Sequence, residues 1–397
     1  MTIRLLLLLA ILCCTTGALA AEYRAGFAAA DITPQPGDQM GLVGGGSGTV
    51  ESIGDALQLH AAVLTDGSHR LALVSADLLV LREADFRAIE RELHRRGFDH
   101  IVVAATHTHG GFLADRQLDK VRSQVIRAVE TAGSRLQPVT IGATRIPVDE
   151  AYNRRIIRDG QVEMLWTNPG RTPNRAVDNT LGIIQLRDRD GQPFLTIFNY
   201  SAHPVVTMDL DRAVVSADYP GFLRRSFEKR AGGHTMFFMG AGGDVNPYHA
   251  DTKPFEAAQV QARRLGRVLA DGAVRATKQL RDFRGEGHFR FDTISFREPE
   301  AEIGVLLLTP AISLVSFPGE YFDALGRQLK DASPVESTFF IGMSNGDLRY
   351  VPTAADAAVG GYGAEKPSFR VDSTTGETHV RAAVKKLKAL AQGPAAE

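Results

Sequence analysis

The chain has 397 residues, with 45 Lys and Arg against 46 Asp and Glu and a formal net charge of −1. The cations are scattered among the acids without a basic face, which excludes nucleic acid as a natural partner. Its two cysteines, Cys13 and Cys14, both lie in the first twenty residues, so beyond them thiolate ligands, a cysteine nucleophile and disulfides are excluded.

One positive charge at Arg4, the apolar run Leu5 to Cys14 and the ending Ala18-Leu19-Ala20 together read as a secretory signal peptide over residues 1–20. The expected mature chain starts at Ala21 and is exported, to a periplasm or beyond the cell. No later apolar run approaches the length of a membrane span, which leaves transient contact with a membrane surface as the only membrane association considered.

Residues 25–54 are rich in Gly and Pro and predict a segment that wanders over the surface or lines a cleft. Gly44-Gly45-Gly46 lacks the strand, helix and Lys-Ser/Thr context of a phosphate loop. Leu59–Leu64 and Leu71–Asp77, joined at Asp66-Gly67, predict a hairpin of buried strands. An amphipathic helix over 83–96 leads to the strand Ile101-Val102-Val103, and a second helix is expected within 115–136. That alternation favours an α/β fold of layered, mixed sheets flanked by helices. Further strands are expected at 139–148, 177–184, 194–200, 235–239, 284–308 (two), 311–317 and 338–343, with helices over 222–230, 255–280 and 377–392.

Polar groups recur where these strands stop. Thr106-His107-Thr108-His109 follows the Ile101 strand, and an extended backbone there would point both imidazoles the same way. His203 follows Tyr200, the turn Gly240–Asn246 follows Met239, Glu320 follows Phe317, and Tyr350 lies just past the strand ending at Met343. Each has an ordinary structural reading: Arg154-Arg155 as a solvated edge, Gly240–Gly243 as a tight turn rather than an oxyanion cradle, Glu320 as a cap for a helix near Phe322. Gly360-Gly361-Tyr362-Gly363 reads as a flexible stretch. Gathered around one ion, two imidazoles, a carboxylate and a phenolate would suit zinc acting on a carbonyl compound.

Asp31-Ile32-Thr33-Pro34, Thr106-His107-Thr108-His109-Gly110, Asn153-Arg154, Ser201-Ala202-His203, Gly243-Asp244-Val245-x-Pro247, Pro318-Gly319-Glu320 and Tyr350-Val351-x-Thr353 occur in this order. The ordered set resembles the catalytic domain of neutral, non-lysosomal ceramidases over roughly Ala25 to Tyr362. The resemblance implies a ceramidase-like α/β domain over 21–397, and Zn2+ held by His107, His203, Glu320 and Tyr350. It implies that His109 contacts the substrate amide or its developing oxyanion. Arg154, less surely Arg155, would hold substrate oxygens, and Tyr362 would be a second active-site tyrosine.

Three departures accompany the likeness. Asn246 stands where the family has a serine and, though it still donates a hydrogen bond, is no nucleophile. Gly110, Gly111 and Phe112 replace a serine and proline and are expected to change one pocket wall. The single domain over 21–397 is also expected to stand without the C-terminal β-domain of the ceramidases. The implied activity is zinc-dependent hydrolysis of an N-acyl amide in ceramide, a related lipid or a small amide. A metal-dependent esterase or phosphatase on the same scaffold is the enzyme alternative, and a catalytically silent lipid- or glycan-binding protein the non-enzyme one.

Overall fold

A computed structural model describes residues 21–41, 47–112, 118–209 and 212–393. The signal-peptide segment, both cysteines and Gly44–Gly46 lie outside these residues. Three mixed sheets form the body of the molecule, and each contains one parallel pair joined through a helix. In the first, His100–Ala105, Arg70–Ala76, Gln58–Thr65, Arg24–Asp31 and Gln137–Pro138 lie side by side in that order. The anticipated hairpin pairs Leu59 with Ala76 through Thr65 with Arg70, and helix α1 (Glu83–Arg95) links the parallel strands Arg70–Ala76 and His100–Ala105.

The second sheet orders His234–Met239, Pro193–Tyr200, Thr180–Arg187 and Thr140–Pro147. The third orders Arg290–Arg297, Glu300–Thr309, Ile312–Ser316 and Ser337–Ile341. Their parallel pairs are 193–200 with 234–239 and 312–316 with 337–341. A parallel neighbour cannot be reached by a tight turn, so a helical connection is required. Among the remaining helices, α2 (Leu118–Gly133) covers the first sheet and α4 (Phe255–Gln279) packs beside α3 (Asp218–Ala231). Then come α5 (Asp323–Ala332), α6 (Ala354–Val359) and α7 (Thr375–Gln392), the last packed on the third sheet. No helix of the described residues is long and apolar enough to cross a membrane.

The carboxyl ends of the parallel strands are stitched to one another across the sheets. Asn199 donates through Nδ2 to the carbonyls of Phe238 and Phe340, Ser75 donates to Phe237, and the Val103 amide donates to Asn345 Oδ1. Open α/β sheets bind ligands beyond such ends. Here three crossover units aim theirs at one place.

One expectation about the fold needs correction. Arg24–Asp31 is not a wandering segment but a strand paired along its whole length with Gln58–Thr65. Its small residues are demanded by packing, since a Cβ on Gly26 would lie 1.9 Å from the Ala132 carbonyl oxygen of α2. Phe112, expected to alter a pocket wall, is 1% exposed and part of the core.

Candidate metal centre and its rim

His107 and His109 follow the strand His100–Ala105, but the backbone has already left the extended form: His107 adopts φ 65°. The expected parallel display of the two rings on a strand is therefore corrected. The left-handed residue turns the rings to 87° with centroids 5.0 Å apart, and both still face His203. The connection after Ala76 builds this turn. The His107 amide donates to the Leu78 carbonyl, and His107 Nδ1 donates to that of Leu79 at 2.7 Å. Beneath it, fully buried Asp77 takes Nη1 and Nη2 of Arg224 at 2.9 and 2.5 Å and accepts from Thr106 Oγ1 at 3.2 Å.

His203 is locked in the same manner, its amide and Nδ1 both donating to the Val245 carbonyl at 3.0 and 3.1 Å. That places Nε2 of both rings at one carboxylate oxygen. Glu320 Oε2 lies 2.9 Å from His203 Nε2 and 3.3 Å from His107 Nε2. Glu320 is not the cap of α5; the Asp323 amide at the start of that helix donates instead to Asp244 Oδ1. Glu320 and Tyr350 are register partners in a two-stranded parallel ribbon, so one pairing brings these ligand types from two connections to the same place.

The glycine turn after Met239 makes this convergence possible. A Cβ on Gly242 would lie 1.8 Å from the Ser201 carbonyl oxygen, and one on Gly243 would lie 2.4 Å from that of Glu320. The Gly240 and Gly243 amides are spent on Tyr200 and Tyr321 carbonyls. Those two amides serve the tight turn itself.

Electrostatics follow from burial and from the carboxylate. Burial opposes charge on His107, but Glu320 outweighs it and holds the ring above its ordinary pKa. Burial and the Arg154 cation push His203 down to about 4. Burial would raise Glu320, but the His107 and His203 rings beside it hold it well below the usual carboxylate range. Burial, with the His107 and His203 rings, keeps His109 far below its ordinary value and therefore neutral. Tyr350 is pushed well up by burial and by Glu320.

The donors fit a divalent ion. Ligands about 2.0–2.1 Å from a tetrahedral ion stand about 3.3 Å apart, close to the two imidazole–carboxylate separations. Both Nδ1 atoms carry backbone partners, the arrangement that aims the opposite nitrogen at a metal. The Nε2 atoms of His107 and His109 are buried without hydrogen-bond partners, and metal-ligating atoms of His107, His109 and His203 all lie within 4.8 Å of one another. His109 thus stands closer to the ligand group than a pure substrate contact requires. Its Nδ1 meets Met208 Sδ at 3.2 Å, a weak partner.

Arg154 forms the boundary between this floor and solvent. Neither Arg154 nor Arg155 is a solvated edge; they are 4% and 0% exposed. Arg154 Nη2 donates to the Gly243 carbonyl at 2.7 Å and to Tyr350 Oη at 3.1 Å, Nη1 lies 3.4 Å from Asn246 Oδ1, and buried Nε has no partner. Asn246 also donates to the Trp166 carbonyl at 2.9 Å, so it stands behind Arg154 and Trp166. Arg155 serves the neighbouring loop, donating to the carbonyls of Tyr362 and Gly360 at 2.8 and 2.6 Å. The loop taken as flexible is thereby pinned. Tyr362 Oη lies 3.5 Å from Tyr350 Oη.

All eight residues named from sequence, His107, His109, Arg154, His203, Asn246, Glu320, Tyr350 and Tyr362, thus fall in one connected neighbourhood. The supporting groups Asp77, Arg224, Leu79, Met208 and Trp166 were not anticipated. Only Trp166 carried a signal, being the sole tryptophan of the chain.

A mixed α/β scaffold with a histidine and carboxylate cluster at convergent strand ends is thereby defined. Compared with solved structures, it is similar to the neutral ceramidase of Pseudomonas aeruginosa, with TM-score 0.77 and 17% identity over 95% of this chain and 76% of that one. A ceramidase complexed with C2 is similar at TM-score 0.75 and 16% identity, covering 94% and 75%. No family model and no curated protein matches the sequence. The fold is that of the neutral ceramidases, as the ordered motifs implied.

Proposed function

We propose that the protein is a metal-dependent hydrolase of N-acyl amide bonds, with ceramide, a related lipid amide or a smaller amide as substrate. The observation that carries this reading is the meeting of His107 Nε2 and His203 Nε2 at one Glu320 oxygen, with both Nδ1 atoms held by backbone carbonyls. His107, His203, Glu320 and Tyr350 would hold the ion, zinc being the metal best matched to this donor set. Bound there, it would supply a water activated at neutral pH and polarise the acyl carbonyl.

The chain's own residues supply the remainder. Unpartnered Arg154 Nε offers a buried donor to an acyl or hydroxyl oxygen of the substrate. Neutral His109, with a free Nε2, takes the proton that water loses as its oxygen joins the acyl carbon and passes it to the departing nitrogen as the acyl C–N bond breaks. Asn246 holds Arg154 and the Trp166 segment from behind, and no serine nucleophile is needed. Export through residues 1–20 belongs to the same reading.

The test combines metal content with a substrate panel. Purified protein should carry about one zinc per chain and release fatty acid from N-acyl amides faster than it cleaves matched acyl esters or phosphoesters. Preference for a phosphoester would replace the amide reading with the phosphatase one. Absence of metal after zinc is supplied would remove the hydrolase.

A further inference from the structure

Six large apolar side chains are exposed among the described residues, and four of them, Ile157, Trp166, Val359 and Tyr362, belong to two neighbouring segments beside Arg154. The hairpin pairing Arg155–Arg158 with Gln161–Met164 sets Ile157 opposite Val162. Val162 packs so closely on the second segment that a Cβ on Gly361 would lie 2.7 Å from it. Arg155, on the same face of the hairpin, reaches the Gly360 and Tyr362 carbonyls. The exposed groups therefore line one rim rather than dotting the surface.

Trp166 is 46% and Tyr362 41% exposed, with rings edge-to-face at 5.1 Å. The Arg154 guanidinium carbon lies 5.5 Å and 5.3 Å from their ring centroids. Trp166 is held from both sides: its carbonyl accepts from Asn246, and the Leu165 amide and carbonyl pair with Arg154 and Tyr152. An indole kept half in water by such tethers exposes apolar area that a bound chain would cover. Resting on the amide-hydrolase reading, we propose that Trp166 and Tyr362, continued outward by Ile157 and Val359, form the wall that receives the apolar chain of the substrate. Trp166 thereby sets the preference for chain length.

As the chain's sole tryptophan, Trp166 is also its own reporter. Wild-type protein is titrated with butanoate, octanoate and dodecanoate, carboxylates that the enzyme cannot hydrolyse, while indole emission is followed. Octanoate should shift the emission to the blue and bind roughly ten- to a hundredfold more tightly than butanoate. In kinetics with N-butanoyl-, N-octanoyl- and N-dodecanoyl-ethanolamine, Trp166→Ala should flatten the rise of kcat/KM with chain length. Trp166→Phe should restore most of it, with metal content unchanged in both variants.

Unaltered emission while octanoate inhibits competitively would overturn the wall and leave the amide reading standing. A chain-length-dependent shift without hydrolysis of any amide would uphold the wall and overturn the amide reading. Should Trp166→Ala fail to fold, the wild-type titration decides alone.

Discussion

The floor and the rim of the site are built on opposite plans. His107 and His203 are 3% and 0% exposed, stand at the ends of sheet strands, and have each ring fixed through Nδ1 to a backbone carbonyl. Trp166 and Tyr362 are more than 40% exposed, lie on connections, and have their backbones secured by Asn246 and Arg155. Reacting groups tolerate little displacement and are placed on rigid elements. Groups that meet a variable apolar chain need only present area, so loops suffice.

The most severe way to test this division is to remove a floor ligand. His203→Ala should lose metal and lower turnover by at least roughly a hundredfold, checked by elemental analysis beside kinetics, while octanoate still shifts indole emission. If the emission response disappears as well, floor and rim are not separable. Chelation of the wild type should do the same reversibly: the melting temperature falls, because an ion that binds only the folded chain stabilises it, and the unliganded emission spectrum stays put.

Next in size is His109→Ala, expected to retain metal and lose roughly 10²–10⁴ in kcat. Loss of metal together with rate would make His109 a ligand, as its place within the three-histidine group allows. Arg155→Met removes two charged hydrogen bonds behind Tyr362, and a destabilisation of about 1–3 kcal/mol is expected. Its kinetic effect should be a several-fold higher KM with kcat nearly kept; a fall in kcat alone would place the Tyr362 loop with the floor. The smallest effect is expected of Asn246→Ser, which shortens the support of Arg154 and should change kcat/KM only a few-fold. Absolute dependence of activity on that change would contradict a mechanism that needs no serine.

The same division explains what could be read from residues alone. The hairpin at Asp66-Gly67, the helix Glu83–Arg95 and the strand His100–Ala105 announce themselves through local periodicity, and the floor residues follow such runs directly. Long-range packing was illegible. Arg24–Asp31 pairs as a strand although its run of alanines has little strand propensity. Arg155 looks solvated until the Tyr362 loop closes over it, and that loop looks flexible until Arg155 reaches it. Nor could the φ of His107 be foreseen, because it depends on Leu78 and Leu79 carbonyls almost thirty positions earlier.

The convergence of three sheets also bears on how the protein matures. His107, His203 and Glu320 come one from each parallel crossover, and Tyr350 follows the last strand of the third. A nascent chain that has finished two crossovers holds His107, His109 and His203 but still lacks the carboxylate and the phenol. On the metal-dependent reading proposed above, a chain arrested after residue 300 should bind zinc more weakly than the whole chain, because only the histidines are then in place.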